Sequence, residues 1–90
     1  MVRYAIETTA RFDKQLKKLD RFEAVMILKW LAKNVEGMND PRQIGKALVG
    51  NYAGKWRYRI GHYRVIVMID DHALIVLAME VGHRRSIYMK

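Results

Sequence analysis

The residues best suited to chemistry in this sequence are arginines that recur at alternate positions of an apolar stretch. Within residues 55–69, charged and apolar residues alternate almost one by one. Side chains of a strand point to opposite faces in turn, so cationic and apolar residues separate onto two faces: Lys55, Arg57 and Arg59 against Trp56, Tyr58 and Ile60. A guanidinium is a permanently charged planar fork that matches phosphate oxygens. One face of this strand is therefore suited to anions.

A hairpin turn at Gly61-His62 brings a further arginine to this face. Glycine at the first central position can adopt the positive φ that a type II′ turn requires. Ile60 then pairs with Tyr63, and Arg59 lies directly opposite Arg64. Like charges in such a pair are destabilising by roughly 0.2–1 kcal/mol. Two interpretations are open: a solvated face that protects the sheet from aggregation, or an anion-binding surface.

A second group of candidate residues follows the last predicted strand: His83, Arg84, Arg85 and Tyr88. Histidine exchanges a proton near neutral pH, and tyrosine stacks on bases or donates a hydrogen bond. The group suits phosphodiester chemistry, although a basic tail without fixed structure is the alternative. Ser86 is the only serine, and no acidic residue lies in a motif that would orient His83, which disfavours a nucleophilic triad. The three histidines lack metal-ligand spacing, so we expect neither a metal nor a cofactor.

Composition limits the classes of protein to which the chain can belong. Ninety residues, half of them hydrophobic, predict a single globular domain over residues 1–90. The net charge of +8 favours nucleic acid or an acidic protein as partner. The absence of cysteine excludes disulfides and thiol catalysis. No apolar run approaches the ~20 residues of a membrane span, and no signal peptide is visible, so we expect a cytoplasmic protein without membrane contact.

The elements that must position these residues can be read in chain order. A short strand over residues 2–7 precedes a helix that Thr8 or Thr9 caps. Asp20 begins a second helix, with Glu23 completing a capping box. Its predicted buried stripe is Phe22, Val25, Met26, Trp30 and Leu31, and Gly37 is the expected C-cap.

The remainder of the chain predicts an irregular segment followed by three strands. Glycines and an Asn-Asp-Pro turn signal fill residues 38–52, where Lys46 is expected to be exposed. Two strands form the arginine hairpin, and an apolar strand over residues 73–81 should be central. The order β-α-α-β-β-β predicts an α+β fold, with two antiparallel helices packed on one face of a largely antiparallel four-stranded sheet.

Two segments resemble the RelE branch of the RelE/ParE toxin superfamily. They are Trp56-Arg-Tyr-Arg-Ile-Gly-His-Tyr-Arg-Val65 and Glu80-Val-Gly-His-Arg-Arg-Ser-Ile-Tyr88, and Lys46-Ala-Leu-Val-Gly50 precedes them. The resemblance implies the toxin of a type II toxin–antitoxin pair, an endoribonuclease that cuts messenger RNA in the ribosomal A site. The reaction would proceed by attack of the ribose 2′-hydroxyl without metal.

The resemblance also implies roles for individual residues. Arg57 and Arg59 would lie near the scissile phosphate, Arg64 would bind phosphate, and Arg84 would assist the leaving group. Tyr88 would orient or stack the substrate, and His83 stands where some members have an acid/base histidine. Three further cations are expected to bind RNA: Lys46, Lys55 and Arg85. Because arginine does not release its proton under physiological conditions, the general base is not identified.

The partners that the resemblance implies are an acidic RelB-like antitoxin, the ribosome and messenger RNA. DNA would be contacted only through the toxin–antitoxin complex. Two alternatives stand beside this interpretation. One is a ParE-like inhibitor of DNA gyrase, which shares the fold but lacks the catalytic set. The other is a basic module that binds RNA or an acidic protein without catalysis.

Overall fold

The computed structural model describes residues 3–36 and 40–83, which form two α-helices and five strands. In chain order the elements are β1 (Ala5–Thr8), α1 (Ala10–Lys17), α2 (Arg21–Asn34), β2 (Lys46–Ala47), a 3₁₀ turn (Gly50–Tyr52), β3 (Trp56–Ile60), β4 (Tyr63–Asp70) and β5 (Ile75–His83). The α+β class is confirmed. The sheet has five strands where four were predicted. The additional strand is the two-residue β2.

Side-chain caps begin both helices. Thr9 is the N-cap of α1, and its hydroxyl accepts a hydrogen bond from the Phe12 amide at 3.1 Å. Asp20 caps α2 by accepting from the Phe22 amide, also at 3.1 Å. These groups satisfy amides that have no partner within their helix. Of the two candidates for the first cap, Thr9 is the N-cap, and Asp20 is confirmed as the second. The C-cap of α2 is Val35 and not the expected Gly37, which lies outside the described residues.

The five strands lie in the order β1-β5-β4-β3-β2. β5 lies in the interior of the sheet, as its apolar sequence predicts, and pairs antiparallel with β4 and parallel with β1. The sheet is therefore mixed, and largely antiparallel as expected. The parallel pair joins the first and last strands of the chain, which are separated by α1, α2 and the three strands β2, β3 and β4.

The core lies between the helices and one face of the sheet. It combines fully buried residues of α1 and α2 with the inward residues of the three long strands: Phe12, Ile27, Leu31, Tyr58, Ile60, Val65, Val67, Val76, Ala78 and Val81. No helix within the described ranges is long and apolar enough to cross a membrane.

The buried face of α2 differs from the one predicted. Phe22 is 75% exposed and Val25 42% exposed, whereas Ile27 and Leu31 are fully buried. Trp30 is half-buried against the core, with its ring 5.7 Å from that of Tyr58. The placement of Phe22 and Val25 in the core was wrong. Because α2 carries apolar residues around most of its circumference, spacing alone could not select the buried face.

Hydrogen bonds of Tyr58 and Arg42 tie the segment between α2 and β3 to the rest of the fold. The buried Tyr58 hydroxyl donates to the Pro41 carbonyl at 2.8 Å. Arg42 donates two hydrogen bonds to the Asp71 carboxylate at 3.0 and 2.9 Å, and the Tyr4 hydroxyl donates a third at 2.7 Å. These bonds, that of Arg42 foremost, hold the pKa of Asp71 below its usual range. The segment therefore reaches β2 in a fixed position beside Arg57.

Candidate active site

The turn between β3 and β4 sets the positions of the arginines. Gly61 has a φ of +60°, and among the described non-glycine residues only Leu74 has a positive φ, so the Gly61-His62 turn fits type II′. Ile60 pairs with Tyr63, and Arg59 pairs with Arg64. Both predicted pairings are confirmed. The two like charges therefore lie directly opposite each other.

The three arginines of the hairpin lie on the sheet face opposite the helices, which we call the arginine face. Arg59 is exposed, while Arg57 and Arg64 are half-buried. Two residues along a strand are about 6.5 Å apart, and opposed Cα atoms of neighbouring strands about 5 Å apart. The backbone positions of the three arginines therefore lie within about 10 Å of one another on one face.

Arg57 is the arginine whose environment most suggests a ligand. Its Nε is buried and has no hydrogen-bond acceptor within the described ranges. Buried donors are normally satisfied, and an unsatisfied one costs about 1–3 kcal/mol. An anion held by the outer guanidinium nitrogens would lie close to this donor. The side chain is thus held against the sheet in a position to bind an anion.

Two lysines extend the positive charge along the strands. Lys46 on β2 pairs with Arg57, so its exposed side chain belongs to the arginine face. Lys55 is half-buried, and its amide donates to the Tyr52 carbonyl at 3.0 Å. By strand alternation, Lys55 lies on the same face as Arg57. The expected exposure of Lys46 is confirmed, and RNA binding by both lysines stays a prediction.

His83 lies apart from the arginines. It pairs with Tyr63 at the end of β5, and their rings meet edge to face at 5.7 Å. Tyr63 packs against the core on the helix side, where burial and the nearby Glu23 of α2 raise its pKa. The His62 ring stacks on that of His83 at 6.2 Å. The structure therefore places His83 on the helix side of the hairpin end.

The other C-terminal residues expected in the site are Arg84, Arg85 and Tyr88, and all three lie outside the described residues. Their roles stay predictions. Among the residues that are described, no cluster of histidine and acidic side chains could hold a metal ion.

A β-bulge adds an acidic residue that the sequence analysis missed. β4 and β5 shift register between Ile66 and Val67, so that Ile66 pairs with Glu80 and Val67 with Ala78. Met79 is the extra, unpaired residue of the bulge. Each β5 side chain after it points to the face opposite to the one that regular alternation from Val76 would give. Glu80 thereby lies on the arginine face. The sequence contains a signal for this bulge. Inward residues at every second position, as in Val76 and Ala78, would put an apolar residue at position 80, but the next one is Val81.

Helix α1 stabilises this irregular section of β5. The Thr9 hydroxyl donates to the Met79 carbonyl at 3.1 Å, and the Val81 amide donates to Gln15 Oε1 at 2.8 Å. These bonds satisfy polar groups that a bulge removes from the regular ladder. The position of Glu80 is therefore fixed by contacts on both sides of β5.

An apolar surface adjoins the charged groups on the arginine face. Ile66 is fully buried between Arg57 and Glu80 in the same cross-strand row. Met68, which is 40% exposed, and its partner Leu77 continue this surface towards the far end of the strands. Ile66 itself is inaccessible to a ligand. The cations therefore lie beside two partly exposed apolar side chains, those of Met68 and Leu77.

Two helices on one side of a mixed sheet, with cationic side chains on the other, make up a small basic α+β domain. A family model described as the ParE toxin of the type II toxin–antitoxin system parDE matches residues 6–88. The chain therefore belongs to this family of toxins.

Individual relatives agree with this assignment. Toxin RelG of Mycobacterium tuberculosis is 28% identical over 87 residues, which are 97% of this chain and 98% of RelG. A chain of the M. tuberculosis toxin–antitoxin complex RelBE2 superposes with a TM-score of 0.82 at 28% identity, covering 93% of this chain and 94% of that one. The isolated E. coli RelE toxin gives a TM-score of 0.69 at 19% identity, over 89% and 83% of the two chains, which is a likeness of fold. The predicted resemblance to RelE-like toxins is confirmed.

Proposed function

We propose that this toxin is an endoribonuclease that cleaves messenger RNA in the ribosomal A site, without metal, through attack of the ribose 2′-hydroxyl. The observation that carries the proposal is the convergence of Arg57, Arg59 and Arg64 on one open sheet face. A stable sheet does not need a like-charged pair at Arg59 and Arg64. A phosphodiester substrate would bring negative charge to this pair.

The reaction requires charge stabilisation more than covalent chemistry by the protein. When the 2′-oxygen attacks phosphorus, negative charge grows on the non-bridging oxygens. Donors held in place at such oxygens typically contribute about 3–4 kcal/mol each to the transition state. Arg57 and Arg59 are assigned to the scissile phosphate, and Arg64 to phosphate binding. RNA provides its own nucleophile, so DNA is not a substrate.

The C-terminal residues complete the proposed assignment. Arg84 assists the leaving 5′-oxygen, Tyr88 orients or stacks the nucleotide, and Lys46, Lys55 and Arg85 bind the flanking RNA. His83 has a less direct role, because its side chain lies on the helix side of the sheet. An acid/base function for His83 requires RNA to bend around the hairpin end. Replacement of His83 by Gln tests this, with His72→Gln in the β4–β5 turn as the matched control.

An acidic RelB-like antitoxin is the proposed partner. The net charge of +8 makes such a partner favourable. We infer that the antitoxin covers or displaces the arginine face and so keeps RNA from it. Binding that persists when Arg57, Arg59 and Arg64 are all replaced would show that neutralisation of this face is not required.

Primer extension on a defined messenger tests the activity directly. Wild-type toxin, freed of antitoxin, should cut within an A-site codon in a reconstituted translation reaction, and only when ribosomes are present. Arg64→Ala should abolish the cut. Arg11→Ala removes the same charge from an exposed position of α1 and should not affect cleavage. Absence of cleavage by folded wild-type protein would refute the proposal.

Inhibition of DNA gyrase is the second candidate, and the match to a ParE toxin model is the observation that favours it. A gyrase inhibitor would leave messenger RNA intact, inhibit supercoiling by purified gyrase and induce the DNA damage response. A third outcome, binding without toxicity on expression, would indicate the non-catalytic module.

A further inference from the structure

Glu80 is the acidic side chain that lies nearest to the arginines on their face. It pairs with Ile66, which in turn pairs with Arg57, so one cross-strand row contains both Glu80 and Arg57. Arg64 pairs with Gly82 and is therefore the diagonal neighbour of Glu80. Typical strand spacings put the Cα atoms of Glu80 and Arg57 about 9–10 Å apart, and diagonal neighbours about 7–8 Å apart.

The state of the Glu80 side chain is unusual for a carboxylate among cations. It is half-buried, and it forms no salt bridge or hydrogen bond with any other residue that the structure describes. A glutamate whose role was to neutralise the arginines would be expected to pair with one of them. An unpaired carboxylate can instead accept a proton from a ligand.

The proposed reaction lacks a group of this kind. Arginines cannot take the 2′ proton, because their guanidinium groups stay protonated. The stacked pair of His62 and His83 lies at the hairpin end, with His83 on the helix side of the sheet. A general base must come within hydrogen-bond reach of the proton that it removes. Glu80 is the carboxylate whose strand position lies nearest to a phosphate bound over Arg57 and Arg64.

We propose that Glu80 is the general base of the RNA cleavage reaction, an inference that rests on the proposed function. The carboxylate removes the proton as the 2′-oxygen attacks the adjacent phosphorus. The new P–O2′ bond forms while the P–O5′ bond breaks, and the 5′-oxygen takes up a proton from the general acid or from water. The products are a 2′,3′-cyclic phosphate and a free 5′-hydroxyl, and neither oxidant nor cofactor is needed.

The charges around Glu80 support this role. Among the described cations, Arg57 on β3 and Arg64 on β4 have the strand positions nearest to Glu80, and Arg59 and Lys46 lie farther along the same face. On the other side β1 contributes one acidic residue, Glu7, which pairs with Leu77 and so shares this face at the sheet edge. The cations can hold a phosphate group beside the Glu80 carboxylate.

The test is single-turnover cleavage of programmed ribosomes by the intact, antitoxin-free toxin over a range of pH. Glu80→Gln should reduce the rate constant by about 10²–10⁴-fold, the usual contribution of a general base, and should abolish the acidic limb of the pH–rate profile. Glu80→Asp should restore part of the activity with that limb present. Glu7→Gln, which removes an exposed carboxylate of the same face, should behave as wild type.

Separate measurements distinguish catalysis from folding and binding. Thermal unfolding of Glu80→Gln should match wild type, and so should its affinity for ribosomes carrying a messenger with a 2′-deoxy nucleotide at the cleavage position. Glu80→Gln that cleaves as fast as wild type, or faster, would refute the inference alone. No cleavage by wild-type toxin would refute the proposed function and this inference with it.

Discussion

Replacement of Gly45 by Ala should destabilise the protein by forcing a methyl group against a ring that cannot move away. A Cβ at this position would lie 2.8 Å from Tyr58 Cε1, 3.0 Å from its Cδ1 and 3.2 Å from the Arg57 carbonyl oxygen. Favourable carbon–carbon contacts are about 3.5–4.0 Å. Tyr58 is fully buried, and its hydroxyl is held by the Pro41 carbonyl. Relief therefore requires backbone movement.

The expected magnitude follows from two opposing effects. Overpacking of this kind costs about 1–3 kcal/mol. The lower entropy of the unfolded chain with Ala instead of Gly returns about 0.4–1 kcal/mol. We expect a net loss of about 1–2 kcal/mol in the free energy of unfolding, or a Tm lower by roughly 4–16 °C at about 4–8 °C per kcal/mol. Urea and thermal denaturation followed by circular dichroism measure both quantities.

A double-mutant cycle with Tyr58→Phe tests the cause. The Phe ring lacks the bond to Pro41 and can shift by a few tenths of an ångström, so Gly45→Ala should cost less in that background, by more than about 0.5 kcal/mol. Gly54→Ala is the control. Its Cβ meets nothing within 4 Å, but its φ is +88°, so its cost is backbone strain and should not depend on residue 58. An unchanged Tm for Gly45→Ala, or a cost independent of Tyr58, would refute the argument.

Two further perturbations test the contacts that fix the helices and the loop. Thr9→Ala removes both the α1 cap and the bond to the Met79 carbonyl, and should cost about 1–2 kcal/mol in urea denaturation, whereas Thr8→Ala in exposed β1 should change little. Because the folded pKa of Asp71 is depressed, its contribution to stability is present above the unfolded pKa and is lost as the pH falls through the folded pKa. Urea midpoints measured from pH 6 to pH 2 should therefore decline less for Asp71→Asn than for wild type, and an equal decline would remove this residue from the acid response.

The features predicted correctly from the sequence are those that local chemistry determines. A glycine that can adopt positive φ fixed the turn at residue 61, and the period of two then determined that Arg59 meets Arg64. Capping likewise depends on neighbouring residues, so the helix starts at Thr9 and Asp20 were predictable. The placement of Arg57 and Arg59 on one face needed only alternation.

The features that the sequence did not predict depend on distant contacts. Strand β2 has two residues and forms because Tyr58, by contacts with Pro41 and Gly45, holds that segment beside β3. The choice between two apolar faces of α2 depends on the sheet that it meets. The bulge at Met79 needs hydrogen bonds from residues 66 to 70 positions away in the chain, and these come from Gln15 and Thr9.

The same alternation makes the arginine face and the core depend on each other. Tyr58, Val65 and Val81 form one cross-strand row beneath the helices, and all three are buried. Arg57, Arg59 and Arg64 are their neighbours along β3 and β4 on the opposite face. The like-charged pair costs at most about 1 kcal/mol, whereas each buried aliphatic or aromatic side chain contributes about 1.5–3 kcal/mol. The core therefore outweighs the repulsion and holds the three arginines together on the opposite face.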